Sequence, residues 1–368
     1  MIMKTIVKAI AFFIVFAFLF TSSGYSQYAS KAVRPAHKAY TDSIKNMNYD
    51  RVFPFWGAKA YKRGIDIPYP IGFMANYFWM NQGILIDNFQ LGIDKIPGDG
   101  NVDVPLSNLP DSILSFKNNT NMSWSLNVRP DIWLFPFIDL YGIFGYGRST
   151  TTVRPYLPFL ENGAVPADPV EQGITTYGVG ALFAGGVGPV WLSLDANVSW
   201  NKPELLDKPT MANVVGIRMG KVFKFNRRPQ SNISLWIGTM FVTMQSETKG
   251  NIKLGDVIPD VDWDRLGEIG NNYMNWFNGL PKPIQDKISD TGFHKIFSSI
   301  ADFNKETTIL YGMDKQVKQH WNGLVGAQYQ LNKTWQLRAE GGVVGDRKSF
   351  LLSLNYRFLG FKKKAKVL

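Results

Sequence analysis

From residue 190 to residue 200 the chain alternates without a break: Val190, Leu192, Leu194, Ala196, Val198 and Trp200 are set against Trp191, Ser193, Asp195, Asn197 and Ser199. Successive side chains of a strand point to opposite faces, so a period of two gives one apolar face and one that is mostly polar. The pattern recurs at Ile71, Phe73, Ala75, Tyr77 and Trp79, and again at Met122, Trp124, Leu126 and Val128. It returns at Tyr177, Val179, Ala181 and Phe183, and near the end at Phe350, Leu352, Leu354, Tyr356 and Phe358. Hydrophobic residues make up 45% of the chain and aromatics 14%, yet no run of 18 apolar residues occurs, which excludes a helical membrane protein.

The N-terminus carries an export address. Lys4 and Lys8 precede the twelve-residue apolar run AIAFFIVFAFLF (9–20), and Ser22, Gly24 and Ser26 supply small residues for cleavage. The run is shorter than the ~20 residues of a spanning helix, so residues 1–26 read as a secretory signal peptide, with an uncleaved anchor as the alternative. The chain has no cysteine, which removes disulfides, thiol chemistry and a lipoprotein attachment site. Formal charge is +11, and loss of Lys4 and Lys8 with the signal lowers it to +9. That excess suits an anionic partner such as lipopolysaccharide, an acidic sugar or phosphate, although part of it sits in a basic tail over 362–368. No nucleic-acid-binding motif accompanies the charge, so nucleic acid is not expected as a partner.

Repeated half-apolar strands in an exported chain predict an all-β fold, an antiparallel transmembrane β-barrel with its apolar residues outward and its polar residues inward. Eleven strands are visible. They include a mixed one over 84–93, with Leu85, Phe89, Leu91 and Ile93 broken by Asp87. Short links are read at 80–83, 134–137, 185–189, 224–230 and 332–333, and long ones at 94–120, 149–172, 201–209 and 250–316. Short links belong on the periplasmic side. The strand at Ile71 would then descend, and a rising strand must precede it. RVFPFWGAKAYK (51–62) is the candidate, which makes about 12 strands in all, with Pro54 as its weak point. The alternative is that 28–66 threads the lumen as a plug. The expected organisation is a signal (1–26), an N-terminal periplasmic or luminal segment (27–66), a barrel (67–361) and the basic tail.

The 250–316 loop has a helical period of its own. Trp263, Leu266, Ile269, Tyr273, Trp276 and Phe277 recur at helical spacing, as do Phe293, Ile296, Phe297, Ile300 and Phe303, with Pro281 and Pro283 between them. Two amphipathic helices are expected in an extracellular insertion, either as a lid over the mouth or packed on the rim.

The signal, the alternating strands and the terminal strand ending at Phe358 together resemble Gram-negative outer-membrane β-barrel proteins as a class. The resemblance covers residues 50–361. It implies residence in the cell outer membrane, with outer-membrane lipid and lipopolysaccharide as surroundings. It also implies insertion by the barrel-assembly machinery, for which a terminal aromatic commonly serves as a signal. Here the chain runs on for ten residues past Phe358.

If the apolar sets face lipid, the lumen receives Arg129, Asp131, Asp139, Arg148, Asp195, Arg218, Arg338, Glu340 and Arg357. These five arginines and four acids would either line a path for a small polar or anionic solute, or pair with one another and fill the barrel. The mixed signs of Arg129 with Asp131, and of Arg338 with Glu340, favour pairing. The first function expected is a channel or binding barrel. The rivals are a non-transporting envelope or adhesion barrel and a lipid-modifying enzyme. Of the three histidines, only His320 stands where an enzyme would need one, with Ser246 across the hairpin, and it reads better as a rim residue. The DGNVD turn (99–103) lacks the glycine and glutamate that complete a calcium loop. The acidic run Asp256, Asp260, Asp262 and Asp264 reads as solvated. The glycines at 178, 180, 185 and 186 stand in strand context, not in a phosphate loop. No metal and no cofactor is expected.

Overall fold

The computed structural model describes residues 35–95, 104–108, 114–159, 169–187, 190–204, 209–225, 227–253, 255, 266–289 and 291–363. The expected signal, the turn at 99–103, the acidic run at 256–264 and the tail beyond Lys363 lie outside the described residues.

Two short helices come first, α1 (Pro35–Asn46) and α2 (Gly57–Lys62). Then follow β1 (Ile71–Lys95), β2 (Val104–Asn108), β3 (Ser115–Phe116), β4 (Thr120–Phe135), β5 (Ile138–Thr152) and β6 (Pro155–Tyr156). The middle of the chain forms β7 (Val170–Val187), β8 (Val190–Pro203), β9 (Thr210–Lys224) and β10 (Asn232–Lys253). Three helices interrupt it, α3 (Leu266–Asn278), α4 (Lys282–Ser289) and α5 (Gly292–Ser298). The last strands are β11 (Thr308–Val317), β12 (Trp321–Gln330), β13 (Trp335–Val344) and β14 (Lys348–Phe358).

Ten strands close into a ring in the order β1, β4, β5, β7, β8, β9, β10, β12, β13, β14, every pair antiparallel. The first strand makes the closure. β1 pairs with β4 from Ile71↔Ile132 to Gly83↔Thr120, and with β14 from Ile71↔Phe358 to Asn81↔Lys348. A closed ring leaves no unpaired edge, which is what allows a sheet to stand in lipid. Leu126, Phe144, Val179, Ile237, Leu337 and Leu354 project outward and are about half exposed. Aromatics border this belt. Tyr177 stacks on Trp200 toward one rim, and Trp335 meets Tyr356 at 4.7 Å toward the other.

The expected count of about 12 strands is corrected to ten, for two reasons. First, there is no link at 80–83, because β1 is a single 25-residue strand running straight through those positions. Its phase shows why: odd positions stay outward from Ile71 through Leu85, whereas a hairpin looped over 80–83 would pair 79 with 84 and swap the parity. Second, 51–62 is not a strand. Its second half is α2, and Arg51 makes only an isolated bridge to Lys362. Ile71 lies at the end of the ring that carries the short links, so β1 rises from the periplasmic side and nothing upstream has to cross.

The segment 35–70 folds instead beneath the periplasmic mouth. Phe55 N donates to Leu134 O at 2.7 Å, Val52 N to Phe361 O at 3.0 Å, and Trp133 N to Pro70 O at 2.8 Å. The Trp56 ring lies 5.1 Å from Phe135, and Ile44, Pro54 and Ile67 are buried. The chain past Phe358 turns back at Gly360, whose φ is 72°, and joins this cap through the Arg51 to Lys362 bridge.

At the opposite rim β1 and β10 climb beyond the ring, and β11 fills the space between them, with Ile84↔Val317 on one side and Lys253↔Thr308 on the other. β11 is a strand inside what reads in sequence as loop. β2 adds to the other side of raised β1, and α5 packs over it. The expected helices are present, with α4 standing as a third element after Pro281. Together they bury Ile93, Val104, Phe159, Tyr273, Phe293 and Ile296 in a core outside the barrel. No described helix is long and apolar enough to cross a membrane.

Candidate functional site

The inward positions of the ten strands meet as charged pairs that cross the lumen. Arg218 on β9 grips Glu340 on β13 with a two-point fork, Nε to Oε2 at 2.6 Å and Nη2 to Oε1 at 2.8 Å. Arg338 Nη2 and Trp236 Nε1 each donate to Glu340 Oε2 at 2.8 Å, and the Arg338 guanidinium lies 4.8 Å over the Trp236 ring. Such forked, charge-assisted bonds are the strong ones, and they replace the water these ions give up on burial. A second group joins Arg129 on β4 to Asp195 on β8 at 3.8 Å. Tyr141 donates to the other oxygen of Asp195 at 2.5 Å, and its ring lies 3.7 Å beneath the Arg129 guanidinium. A third pairs Arg357 with Asp131 at 2.5 Å, with Arg357 Nε donating to Tyr69 O at 2.8 Å. Asp139 is buried near this pair and its Oδ1 has no hydrogen-bond partner.

On the periplasmic side of these pairs is a cavity of about 310 Å³, walled by Asp139, Trp133, Trp191, Arg338 and Arg357 and bordered by Asp66 and Lys333 of the cap region. Lys333 closes one side, with Nζ 2.7 Å from Asp66 Oδ1, while Tyr40 donates to Asp66 Oδ2 at 2.8 Å. Burial is the largest single influence on the Lys333 ammonium and would lower it, but the charge and hydrogen bond of Asp66, with Tyr61 and Tyr69 nearby, together hold the group above the ordinary lysine value.

Of the nine residues predicted for the lumen, the structure brings eight inside and joins seven of them in pairs, leaving Asp139 beside the Arg357 pair. Arg148 is the correction. It shares parity with Leu140, Phe144 and Tyr146, faces outward, and meets Glu171 at 2.9 Å on an exposed surface. Asp139 and Arg148 differ by an odd number of residues, so they cannot share a face of one regular strand. Trp133, Trp236 and Tyr141 were not anticipated. Trp191 and Tyr141 stand in the inward phase of their strands, and an aromatic in the polar phase of a barrel strand is the signal that could have found them. The lid reading of the outer helices gives way to a compact head on the raised strands. Within it, Tyr273 Oη and His294 Nδ1 are 2.9 Å apart, and burial pushes the His294 imidazole below its ordinary value.

His320 is exposed, with Nδ1 2.9 Å from Val242 O and its ring 5.4 Å from Phe241, as befits a rim residue. The Ser246 side chain that would partner it lies outside those described. Among the described residues no group of acidic or histidine side chains is arranged to hold a metal.

No protein-family model matches this chain, and no curated protein does. Among solved structures it is similar to the β domain of the Bordetella autotransporter Brka, at 9% identity, covering 78% of this chain and 100% of that one with a TM-score of 0.34. The translocator domain of autotransporter NalP from Neisseria meningitidis gives 12% identity, 88% and 100% coverage and a TM-score of 0.32. The Ralstonia pickettii toluene transporter TbuX gives 8%, 79% and 90%, and 0.26. The closed antiparallel ring, the apolar belt and the polar lumen of this chain themselves define an outer-membrane β-barrel.

Proposed function

We propose that the protein resides in the outer membrane and is a binding barrel: a small polar solute enters the vestibule from the periplasmic side, and the paired charges above it bar passage through the lumen. The observation that carries this reading is the Glu340 cluster, in which two arginines and a tryptophan converge on one carboxylate directly over the cavity. A conducting pore needs a hydrated path along its length, whereas here three side chains converge on one buried carboxylate within the lumen. Planar-bilayer recording on refolded protein tests it. Silence in protein shown to be folded is the expected result, and a steady conductance in varied salt would replace this reading with a channel.

A second reading is a non-transporting envelope or adhesion barrel whose working part is the outer head. It is supported by the head having a core of its own, with Tyr273 and Phe293 fully buried. It predicts that the vestibule binds nothing and that removal of the head abolishes function.

A further inference from the structure

We infer that the vestibule is a saccharide site, taking one or two sugar rings with Trp191 as the stacking platform. The inference deepens the binding-barrel reading and rests on it.

The cavity charges are largely spent on one another: Arg357 on Asp131, Lys333 on Asp66, and Arg218 with Arg338 on Glu340. Beside these pairs the wall presents indole and amide, together with Lys224 and the Nε of Arg338, a buried donor that no protein group meets. Trp191 lies flat on the wall because its neighbour across the strand pair is Gly220, where a Cβ would sit 2.7 Å from the ring carbon Cζ2. Its Nε1 donates to Ser234 Oγ at 2.8 Å, which fixes the ring plane. One face is therefore against the backbone, and the ring lines the cavity beside Trp236, whose centroid is 5.9 Å away at an interplanar angle of 63°. Trp236 cannot serve in the same way, since Arg338 covers it.

The same cavity is walled by Gln328, Gln336 and Asn232, together with Asn355 and Asp139. The last two are more than nine-tenths buried, and each keeps one oxygen without a partner. Planar amides offer a donor and an acceptor side by side, and a carboxyl oxygen without a partner accepts. A pyranose matches that set: its C–H face lies on an apolar ring, and its rim of hydroxyls both donates and accepts. A phosphate could meet Arg338 Nε but offers nothing to the indole or to the unpartnered oxygens of Asn355 and Asp139, which it would repel or leave unmet. The volume of about 310 Å³ stands at the small end of the ~300–1,000 Å³ typical of ligand sites.

The test uses the full chain refolded in a detergent without a sugar headgroup, with cellobiose and chitobiose as probes and inorganic phosphate as the contrast. Saturation transfer to ring protons of a disaccharide and a saturable calorimetric signal are expected. Trp191→Ala should weaken binding about tenfold. Ser234→Ala, which keeps the indole but removes the partner that fixes its plane, should weaken binding as well, and heat-modifiable gel migration checks that both variants fold. Absence of saccharide binding to folded wild type, or binding unchanged in both variants, overturns the inference. Phosphate binding in place of sugar defeats the saccharide while leaving the binding barrel standing. A steady bilayer current with no ligand bound defeats both.

Discussion

Arg357 reaches across strand β1 to Asp131, with Nη2 2.5 Å from Oδ1, and the strand it crosses carries Gly72 where a Cβ would strike both side chains. The pair thus links the last strand of the ring to β4 over the strand that closes the barrel. Its side chains are 4% and 5% exposed, so removing one partner strands a buried charge. Asp131→Ala should lower unfolding stability by about 3–5 kcal/mol. Urea titration of the refolded barrel in detergent micelles measures it, and a loss below about 1 kcal/mol would mean that water reaches Arg357.

Glu340 holds two arginines at once. Glu340→Ala releases Arg218 and Arg338 into the lumen while shortening the side chain that spans it. Anion-selective current steps are expected from the variant in bilayers where the wild type is silent. A folded variant that stays silent would place the seal elsewhere.

The periplasmic cap depends on Lys333 and Asp66. Because the chain has no cysteine, Ala60→Cys offers a single reporter at a buried cap position. Adding Lys333→Ala should raise its maleimide labelling rate several-fold. The folded-state value of Lys333 is raised, so its contribution is complete below the unfolded value near ~10.4 and fades as pH climbs through the higher folded value. Labelling of the single-cysteine protein, divided by that of a free thiol at the same pH to remove the thiolate fraction, should accordingly stay flat across neutral pH and accelerate only at strongly alkaline pH.

The outer head should respond to acid. Burial lowers the His294 value from the ordinary 6.5, so the folded head prefers the neutral imidazole, which accepts the Tyr273 hydroxyl proton. The contribution is complete above the unfolded value and is lost as pH falls through the lower folded one. Amide-exchange protection in α3 and α5, relative to the intrinsic rate at each pH, should fall as pH drops below the ordinary imidazole value of 6.5, and His294→Gln should remove that dependence. Exchange that is equally pH-dependent in the variant would assign the effect to another group.

Much of this architecture is legible in one dimension. Alternation over 190–200 or 350–358 is enough to predict half-lipid, half-lumen strands, because a side-chain period of two leaves no other way to sort Leu352 and Leu354 from Ser353 and Asn355. The helical period of Tyr273, Phe277, Phe293 and Phe297 likewise announced an outer insertion with a buried face. The misreadings were of continuity and parity. Gln82 and Gly83 look like a turn when read locally, but the unbroken odd phase through Leu85 makes them the middle of a strand. Arg148 looks luminal by charge, yet it lies on the lipid phase of β5.

What the sequence by itself determined is the class: a chain of amphipathic strands, which in lipid must close on itself to satisfy its backbone. What only the tertiary structure decided is which inward charges meet. Arg218 and Glu340 are 122 residues apart and Arg357 and Asp131 are 226 apart. Periodicity assigns each residue a face and says nothing of its height or its neighbour across the lumen. Ring order and strand register set those, and they exist only once the barrel is closed.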